Sequence, residues 1–403
     1  MVKVKEINII DDYKEFIDNL LTDAIVKWAS DIHIEPHKDA IWIRYRIDGD
    51  LFPVYKLWLD NKDNLTARIK ILSKLKIDEK RLPQDGQIVF KFDNWKEVED
   101  VDLRVSTFPT LYWEKVVIRV LRKDMSLLNL NNLGFLNVNL NLIKKALNSK
   151  EGLILVSWPT WSWKTTTLYA MLNWFDRFKY NISTLEDPIE YKLEGINQSQ
   201  VNPDIWYTFA AWLRTLLRQD PDIILVWEIR DKETAKLAIE ASLTWHLVLG
   251  TIHANRWAWV IERLVNMGID RYLIASSLKM VLSQRLVKKI CGNCAVNIDI
   301  TEDEEKIFQK YLGPLWESLK EKVNFRKWKW CKMCLNTGYK WRLWLHEVVL
   351  IDSDFAELIS KEFSLRQWED LMEMKGYLTL FKDWLIKVIF GQTTLEQVLV
   401  YKD

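Results

Sequence analysis

The chain has 403 residues, of which 28% are charged, and a formal net charge of +1. This length accommodates two or three domains, and the near-neutral charge lacks the overall basic field that is typical of nucleic-acid-binding proteins. No apolar run reaches the length of a membrane span, and the N-terminus does not have the pattern of a signal peptide. We therefore expect a cytoplasmic protein with no direct membrane span and no nucleic-acid partner.

The first 125 residues have the pattern of a small α+β domain. Apolar spacing predicts helices over 11–28 and 65–75 and strands over 30–36, 40–47, 51–55, 87–92, 101–108 and 115–121. The second and third strands flank a turn at Asp48-Gly49-Asp50. Trp28, after the first helix, and Trp113, between the last two strands, occupy positions where a glycine with positive φ is expected.

Two arginines lie on the last two predicted strands, Arg104 and Arg119. Strand arginines are more often solvated or paired in salt bridges. The functional alternative is an arginine finger that reaches the γ-phosphate of a nucleotide.

A strand, a loop and a helix follow in residues 152–172, which read GLILVSWPTWSWKTTTLYAML. This frame matches the phosphate-binding pattern G-x-x-x-x-G-K-[ST], except that Trp158 and Trp163 occupy the glycine positions and Trp161 another small-residue position. In such a loop the backbone N–H groups approach the phosphates closely, so an indole would occupy the space of the anion. The predicted nucleotide-binding residues are Trp158, Pro159, Thr160, Trp161, Ser162, Trp163, Lys164, Thr165 and Thr166.

The glycine content suggests how such a loop arises. Glycine makes up about 7% of an average protein, or roughly 28 residues in a chain of this length. This chain has 12 glycines and 22 tryptophans, which together make an ordinary glycine total. Our hypothesis is that many or all of the tryptophans are glycines in the organism, because its genetic code reads UGA as glycine. The alternative is a protein that is genuinely rich in tryptophan, and TGG codons at these positions would establish it.

Acidic residues follow two later strands. The alternation of strands and helices after residue 152 implies a parallel sheet covered on both faces. The strand over 182–185 leads into Glu186, Asp187 and Glu190, which could orient water and Mg²⁺ near the phosphate loop or simply form a solvated acidic turn. In the strand over 222–231, Glu228 occupies the position of a carboxylate that polarises the attacking water.

Two histidines flank the next buried strand. His246 and His253 are candidates to sense the γ-phosphate, and a structural histidine is the alternative for either one alone.

The four cysteines form two C-x-x-C pairs, Cys291 with Cys294 and Cys331 with Cys334. This pattern favours a tetrahedral Zn²⁺ site with four thiolates over disulfides, and four unligated thiols are the alternative. A short closing helix is predicted over 393–400.

These motifs together resemble the secretion and type IV pilus traffic ATPases, the GspE/PilB-like family. The resemblance extends from the segment Ser30-Asp31-Ile32-His33-Ile34-Glu35-Pro36 to the helices after Ser364. In that family the phosphate loop reads GPTGSGKTTTLY, with glycine where this chain has Trp158, Trp161 and Trp163. Family glycines also match Trp28, Trp113, Trp206, Trp212, Trp227, Trp245, Trp259, Trp341, Trp344 and Trp384.

The resemblance implies an α/β fold with a RecA-like P-loop NTPase core, an N-terminal PAS-like α+β domain and a C-terminal helical region carrying the tetracysteine zinc motif. The expected boundaries are 1–125 for the PAS-like domain, 126–139 for a linker, 140–290 for the RecA-like domain, 291–335 for the cysteine insert and 336–403 for the helical region.

The resemblance also assigns roles to residues. Lys164 and Thr165 bind nucleotide and Mg²⁺, and Glu228 is the catalytic carboxylate. Glu186, Asp187 and Glu190 belong to the family's Asp box, and His246 and His253 to its His box. Arg104 and Arg119 match its arginine pair. The implied catalytic set is Glu228, Glu190, Arg104, Arg119, His246 and His253.

The implied function is that of a hexameric motor that hydrolyses ATP to power type IV pilus assembly or type II secretion. Its cofactors would be ATP, Mg²⁺ and Zn²⁺, and its partner the inner-membrane platform protein of the machine, which holds it at the inner face of the cell membrane. A nucleotide-free scaffold is the alternative if the tryptophans are genuine. The near-neutral charge disfavours a third reading, a RecA-like DNA translocase.

Overall fold

The computed structural model describes residues 4–93, 98–121, 125–157, 164–202, 208–254 and 257–397. The chain divides into two compact units. The first unit consists of Met1–Lys123 with Trp330–Lys340, and the second of Asp124–Lys329 with Trp341–Asp403. None of the described helices is long and apolar enough to cross a bilayer.

The first unit contains a seven-stranded sheet with strand order β1-β4-β3-β2-β7-β6-β5. Its strands are β1 (Lys5–Ile7), β2 (Asp31–Pro36), β3 (Ile41–Ile47), β4 (Asp50–Leu57), β5 (Gln84–Asp93), β6 (Val98–Pro109) and β7 (Glu114–Leu121), and its helices are α1 (Tyr13–Val26) and α2 (Lys62–Leu72). β1 pairs with β4 in parallel, and the other pairs are antiparallel. The helices and strands predicted for this region are confirmed.

The core of the first unit lies between the helices and one face of the sheet. Ile17 and Leu20 of α1, Ile69 of α2, and Ile34 and Ile118 of the sheet are all buried in one apolar cluster. Successive side chains of a strand point to opposite faces of the sheet. Many of the positions between these apolar residues are polar. The opposite face of the sheet therefore carries the charged residues.

Backbone conformation tests the predicted glycine-like positions. Asp48 and Gly49 have φ of 49° and 97°, which confirms the predicted turn between β3 and β4. Trp28, Trp245 and Trp341 have φ of 60°, 65° and 75°, a region that favours glycine. The expectation of positive φ at Trp28 is confirmed.

The same expectation for Trp113 is wrong, because Trp113 is not among the described residues with positive φ. The turn closes through a hydrogen bond of 2.8 Å from Thr110 N to the carbonyl oxygen of Trp113.

The second unit is built on another seven-stranded sheet, with order β10-β9-β11-β12-β8-β13-β16. These strands are β8 (Gly152–Ser157), β9 (Ile182–Glu186), β10 (Asn197–Gln200), β11 (Ile223–Val226), β12 (Leu247–Ile252), β13 (Leu278–Ile290) and β16 (Tyr339–Leu350), and β14 (Ala295–Asn297) pairs separately with β15 (Arg326–Trp328). The helices are α3 (Asn137–Leu147), α4 (Lys164–Leu172), α5 (Phe209–Leu216), α6 (Lys232–Ser242), α7 (Trp257–Asn266), α8 (Arg271–Ser277), α9 (Glu302–Leu312), α10 (Pro314–Leu319), α11 (Ser353–Ser360), α12 (Leu365–Met374) and α13 (Leu380–Ile389).

Neighbouring strands pair in parallel along the part of the sheet that runs β10-β9-β11-β12-β8-β13. Helices and loops cover both faces of this sheet. In β8, Leu153 and Leu155 lie in one apolar cluster, whereas Ile154 and Val156 lie in another. The predicted parallel sheet with two covered faces is confirmed.

The sequence reading missed two long strands. β13 and β16 contain 13 and 12 residues, and β16 begins the region that was expected to be helical. Its alternating buried Leu343 and Leu345 carried the period of a strand. Of the predicted closing helix, the described residues show only a 3₁₀ turn at Leu395–Gln397, and residues 398–400 lie outside the described part.

Candidate active site

The carboxyl ends of three parallel strands meet at one edge of the second sheet. Ser157 at the end of β8 is in register with Ile252 at the end of β12, and Val226 at the end of β11 is in register with Gly250. The predicted phosphate loop, Glu228 and His253 follow these three strands directly. In open α/β sheets, ligands bind at this edge.

The six loop residues Trp158, Pro159, Thr160, Trp161, Ser162 and Trp163 lie outside the described residues. α4 begins at Lys164, as predicted, and its N-terminus carries the positive end of the helix dipole. Thr165 and Thr166 are buried in the first turn. Thr167 Oγ1 donates a hydrogen bond of 3.0 Å to Gln284 Oε1 and so ties the helix to β13.

Glu228 is held between two nitrogen-bearing side chains. Its Oε1 lies 2.9 Å from His253 Nε2, and its Oε2 lies 2.5 Å from Arg230 Nη2. Arg230 Nη1 lies 3.9 Å from the carboxylate of Asp187. The hydrogen bond to Glu228 raises the pKa of Arg230. The guanidinium thus links two of the predicted acidic residues.

Neighbouring hydroxyl groups fix the backbone at this edge. Ser157 Oγ donates to Ala254 O at 2.6 Å, and the Thr251 hydroxyl donates to the carbonyl oxygen of Trp227. Asp231 accepts a hydrogen bond from Thr234 N at 2.8 Å and caps α6. The segment with Glu228 is therefore anchored on both sides.

Glu186 is fully buried and binds protein groups. It accepts hydrogen bonds from Thr184 Oγ1 at 2.5 Å, from Gln198 Nε2 at 3.0 Å and from the Tyr169 hydroxyl. Burial raises the pKa of Glu186, and these hydrogen bonds oppose that shift. Because Tyr169 belongs to α4, Glu186 connects the helix after the phosphate loop to β9. Glu190 lies close enough to raise the pKa of Glu186 further.

His246 lies at the opposite end of β12 from His253. Its carbonyl oxygen accepts from Gly152 N at 3.1 Å, at the start of β8, and its Nδ1 lies 3.0 Å from Ala241 O. It therefore precedes β12, whereas His253 follows it. At about 3.3 Å per residue, six strand residues separate the two histidines by roughly 20 Å, so within one chain only His253 reaches Glu228.

Arg104 and Arg119 are brought together in the first unit. They lie directly opposite each other on β6 and β7. Arg119 Nε donates a hydrogen bond of 3.1 Å to Asp31 Oδ1.

The four cysteines also converge. The sulfur atoms of Cys291, Cys294, Cys331 and Cys334 all lie within 4.8 Å of one another. Cys334 Sγ accepts from Gly338 N at 3.3 Å, a contact that stabilises a thiolate. A tetrahedral Zn²⁺ with Zn–S bonds of about 2.3 Å requires sulfur atoms about 3.8 Å apart, so this donor set fits the ion.

Comparison with known proteins identifies the family. The family model described as "Type II/IV secretion system protein" matches residues 10–400. The chain belongs to this family. The resemblance stated from the sequence motifs is confirmed.

Relatives within the family are secretion and pilus proteins. Type II secretion system protein E of Aeromonas hydrophila is 42% identical over 386 residues, which cover 95% of this chain and 74% of the relative. The type IV pilus assembly ATPase PilB of Thermus thermophilus is 41% identical over 386 residues, which cover 96% of this chain and 42% of the relative. The predicted ATPase class is confirmed by these relatives.

Solved structures show the same fold. The pilus retraction motor PilT with bound ADP matches with a TM-score of 0.60 and 25% identity, covering 96% of both chains. The Legionella pneumophila ATPase DotB matches with a TM-score of 0.69 and 18% identity over 98% of both chains, which is a likeness of fold.

Three residues that contact the predicted site residues were not predicted from the sequence. They are Arg230, Tyr169 and Asp31. Arg230 follows Glu228 by two residues, a spacing that places both side chains on one side of an extended segment. Tyr169 lies one helical turn beyond Thr165, within the quoted phosphate-loop motif. Asp31 was part of a quoted motif, but its spacing alone did not indicate Arg119 as its partner.

Proposed function

We propose that the chain is an ATP-hydrolysing motor in which Glu228 activates the attacking water. The observation that supports this most strongly is the buried Glu228 carboxylate, with His253 Nε2 at 2.9 Å, at the sheet edge where the phosphate-loop helix begins. A carboxylate in that position can accept a proton from water. The relatives named as ATPases support the same reaction.

The phosphate loop supplies the nucleotide contacts in this proposal. Lys164 neutralises the β- and γ-phosphates, and backbone N–H groups of residues 158–163 cradle them. In this proposal the Thr165 hydroxyl and Asp187 hold Mg²⁺ and its water shell. The metal ion supplies charge stabilisation for phosphoryl transfer when it is bound.

The motor would work as a hexamer. In this proposal Arg104 and Arg119 stabilise the charge of the γ-phosphate in the transition state, a role known for arginine fingers. The first unit corresponds to the PAS-like domain and the parallel sheet to the RecA-like domain. The machine is a type IV pilus or a type II secretion system, and the chain docks on its platform protein at the inner face of the cell membrane.

We propose that the cysteine cluster holds a structural Zn²⁺. Four sulfur ligands that converge on one point form a closed tetrahedral site, which is typical of structural rather than catalytic zinc. The ion would join the two C-x-x-C turns and stabilise the insert between them.

The glycine hypothesis applies directly to this function. Trp28, Trp245 and Trp341 all have positive φ, which supports glycine at these positions. We call the chain with glycine at every UGA-encoded position the glycine form. Mass spectrometry of the protein from its own organism distinguishes it from the tryptophan form, because each replacement removes about 129 Da.

The test of the proposed function is ATP hydrolysis by the full-length glycine form. Lys164→Ala should abolish nucleotide binding, and Glu228→Gln should lower kcat by at least about 100-fold while nucleotide still binds. Arg366→Gln, at an exposed position of α12, serves as the control and should keep parental activity. Near-normal turnover in either site variant would refute the roles. Binding of nucleotide by neither form would favour the scaffold alternative.

A further inference from the structure

One face of the first sheet carries a row of charged residues that includes Arg104 and Arg119. Across neighbouring strands, Arg46 lies opposite Asp31, Asp31 opposite Arg119, and Arg119 opposite Arg104. Directly opposed residues share a face of the sheet. We call these four residues the arginine row.

The carboxylate of Asp31 lies between Arg46 and Arg119 in this row. Its side chain is 6% exposed, with Arg119 Nε at 3.1 Å from Oδ1 and Arg46 Nε at 3.8 Å from Oδ2. Ser30 Oγ donates to Oδ2 at 2.8 Å. A buried carboxylate with several donors is held rigidly, because any other rotamer would leave a charge desolvated.

Arg46 is itself fixed by the fold. Its Nη1 donates to Gly49 O at 2.7 Å, in the turn between β3 and β4. The left-handed Asp48-Gly49 turn thus fixes Arg46, and Arg46 and Ser30 fix the direction of the Asp31 carboxylate. Asp31 in turn engages Nε of Arg119, which sets the plane of that guanidinium.

Two arginines in direct opposition repel each other. Arg119 and Arg104 adopt this arrangement, and the carboxylate on the other side of Arg119 offsets the repulsion. A guanidinium held through Nε presents the edge formed by its two terminal nitrogens in a defined direction. That edge is the one that binds phosphate oxygens in a bidentate manner.

We propose that Asp31 is a positioning residue that orients Arg119, and with it the arginine pair, for the charge that develops on the γ-phosphate. This inference rests on the proposed ATPase function. It gives the segment Ser30–Asp31 a role in hydrolysis through Arg119, without contact to the nucleotide.

A second buried carboxylate with two basic partners, on the same strand, provides a matched control. Glu35, four residues beyond Asp31, is 10% exposed in its side chain and lies 2.7 Å from Lys115 Nζ. It also accepts from Arg44 Nε at 2.6 Å. Like Asp31, Glu35 lies between two basic side chains on the charged face of the sheet. Its partners in these contacts are Lys115 and Arg44, not Arg119.

The experiment compares Asp31→Asn with Glu35→Gln in the full-length glycine form, using Mg·ATP. We expect Asp31→Asn to lower kcat about tenfold with KM within about twofold, because a misaligned finger costs transition-state stabilisation and leaves ground-state binding unchanged. Glu35→Gln should keep kcat within about twofold. Melting temperatures of both variants show whether they fold equally well.

A double-mutant cycle tests whether Asp31 acts through Arg119. If it does, adding Asp31→Asn to Arg119→Gln should change kcat by less than about twofold. Should Asp31→Asn not fold, Ser30→Ala removes only the hydroxyl donor and should lower kcat about threefold at unchanged KM.

Two results would overturn the inference: equal losses in Asp31→Asn and Glu35→Gln, or an undiminished effect of Asp31→Asn in the Arg119→Gln background. Both leave the ATPase assignment intact. That assignment fails separately, when the parent protein hydrolyses no ATP or when Lys164→Ala stays active.

Discussion

At the scale of single residues, the environment of Glu228 bears on its proposed role as a base. Only 5% of the residue is exposed, so water cannot compensate its charge. The Arg230 guanidinium balances the charge at one oxygen, and His253 Nε2 lies within hydrogen-bond distance of the other. The carboxylate is therefore fixed in direction, with its proton-accepting oxygens at the strand end.

Arg230→Gln should lower kcat about tenfold, because a mispositioned base acts less well in the transition state. KM for Mg·ATP should stay within about twofold, since the contacts of Arg230 shown here go to the protein carboxylates Glu228 and Asp187. Steady-state kinetics measure both values. Arg366→Gln is the matched removal of an exposed arginine, and an equal loss in it would contradict the prediction.

The sequence motifs predicted where two parts of this candidate site lie in the fold. A strand followed by an acidic residue located Glu228, and the loop ending in Lys-Thr located the start of α4. Arg230 escaped prediction because an arginine near an acid is usually a surface ion pair. The separation of His246 from His253 follows from the strand between them, because its six residues span roughly 20 Å.

At the scale of elements, helix α1 ends in a way that suits glycine. Trp28 follows the helix with φ of 60°, and the next residue, Ala29, donates to Ala24 O at 2.9 Å. This is the helix ending in which a left-handed residue comes after the last turn. A side chain with a β-carbon is strained there.

Trp28→Gly should stabilise the tryptophan form by about 1 kcal/mol, which corresponds to roughly 2 °C in melting temperature. Calorimetry measures the shift. The control is Trp58→Gly, since Trp58 is also exposed but has φ of −71°. It should gain nothing, and an equal gain in both variants would show that positive φ is not the cause.

A buried polar cluster joins β16 to α13. Asp383 accepts from Lys387 Nζ at 2.7 Å and from His346 N at 3.1 Å. The His346 ring packs against Phe135 at a tilt of 31° with the ring centroids 3.8 Å apart, and its two nitrogens have no partner among the described residues. Burial, and then the nearby Lys387 ammonium, lower the pKa of His346 well below 6.5.

This cluster predicts acid sensitivity. Below pH 6.5 the unfolded chain binds a proton at His346 and the folded chain does not, so stability is lost as pH falls, by up to about 1.4 kcal/mol per pH unit. His346→Phe keeps the ring and removes the titration. The melting temperature of the variant should therefore fall less between pH 7 and pH 5 than that of the parent, and parallel curves would contradict the assignment.

Most elements were predictable because their apolar periods were clear, as in α1 and β8. β13 was missed because its basic stretch Lys288–Lys289 interrupts the apolar alternation. In β16, the last residues are apolar on both faces of the strand. They obscure the alternation of apolar and polar residues that is typical of a strand. The pairs on the charged face of the first sheet could not be predicted. Predicting them requires the strand register, which the periodicity of the sequence does not contain.

At the scale of the whole molecule, the two units supply different parts of the proposed chemistry. The first unit holds the arginine row, and the second holds the carboxylates at the sheet edge. The tryptophans occur in both. The indole nitrogens of Trp113, Trp344 and Trp384 are buried and have no partner among the described residues. Each buried donor without a partner lowers the free energy of unfolding by about 1–3 kcal/mol. All three positions match family glycines, which supports the glycine form.

The cysteine cluster provides the last prediction. If it holds Zn²⁺, the purified chain should contain one zinc ion per chain by elemental analysis, and Cys294→Ser should lower that occupancy. Removing the ion with a chelator should lower the melting temperature, because the free energy of binding a structural zinc stabilises the fold. A variant without the cluster, Cys291→Ser with Cys331→Ser, is the control and should show no response to chelator. An equal response in this variant, or a parent without zinc, would contradict the site.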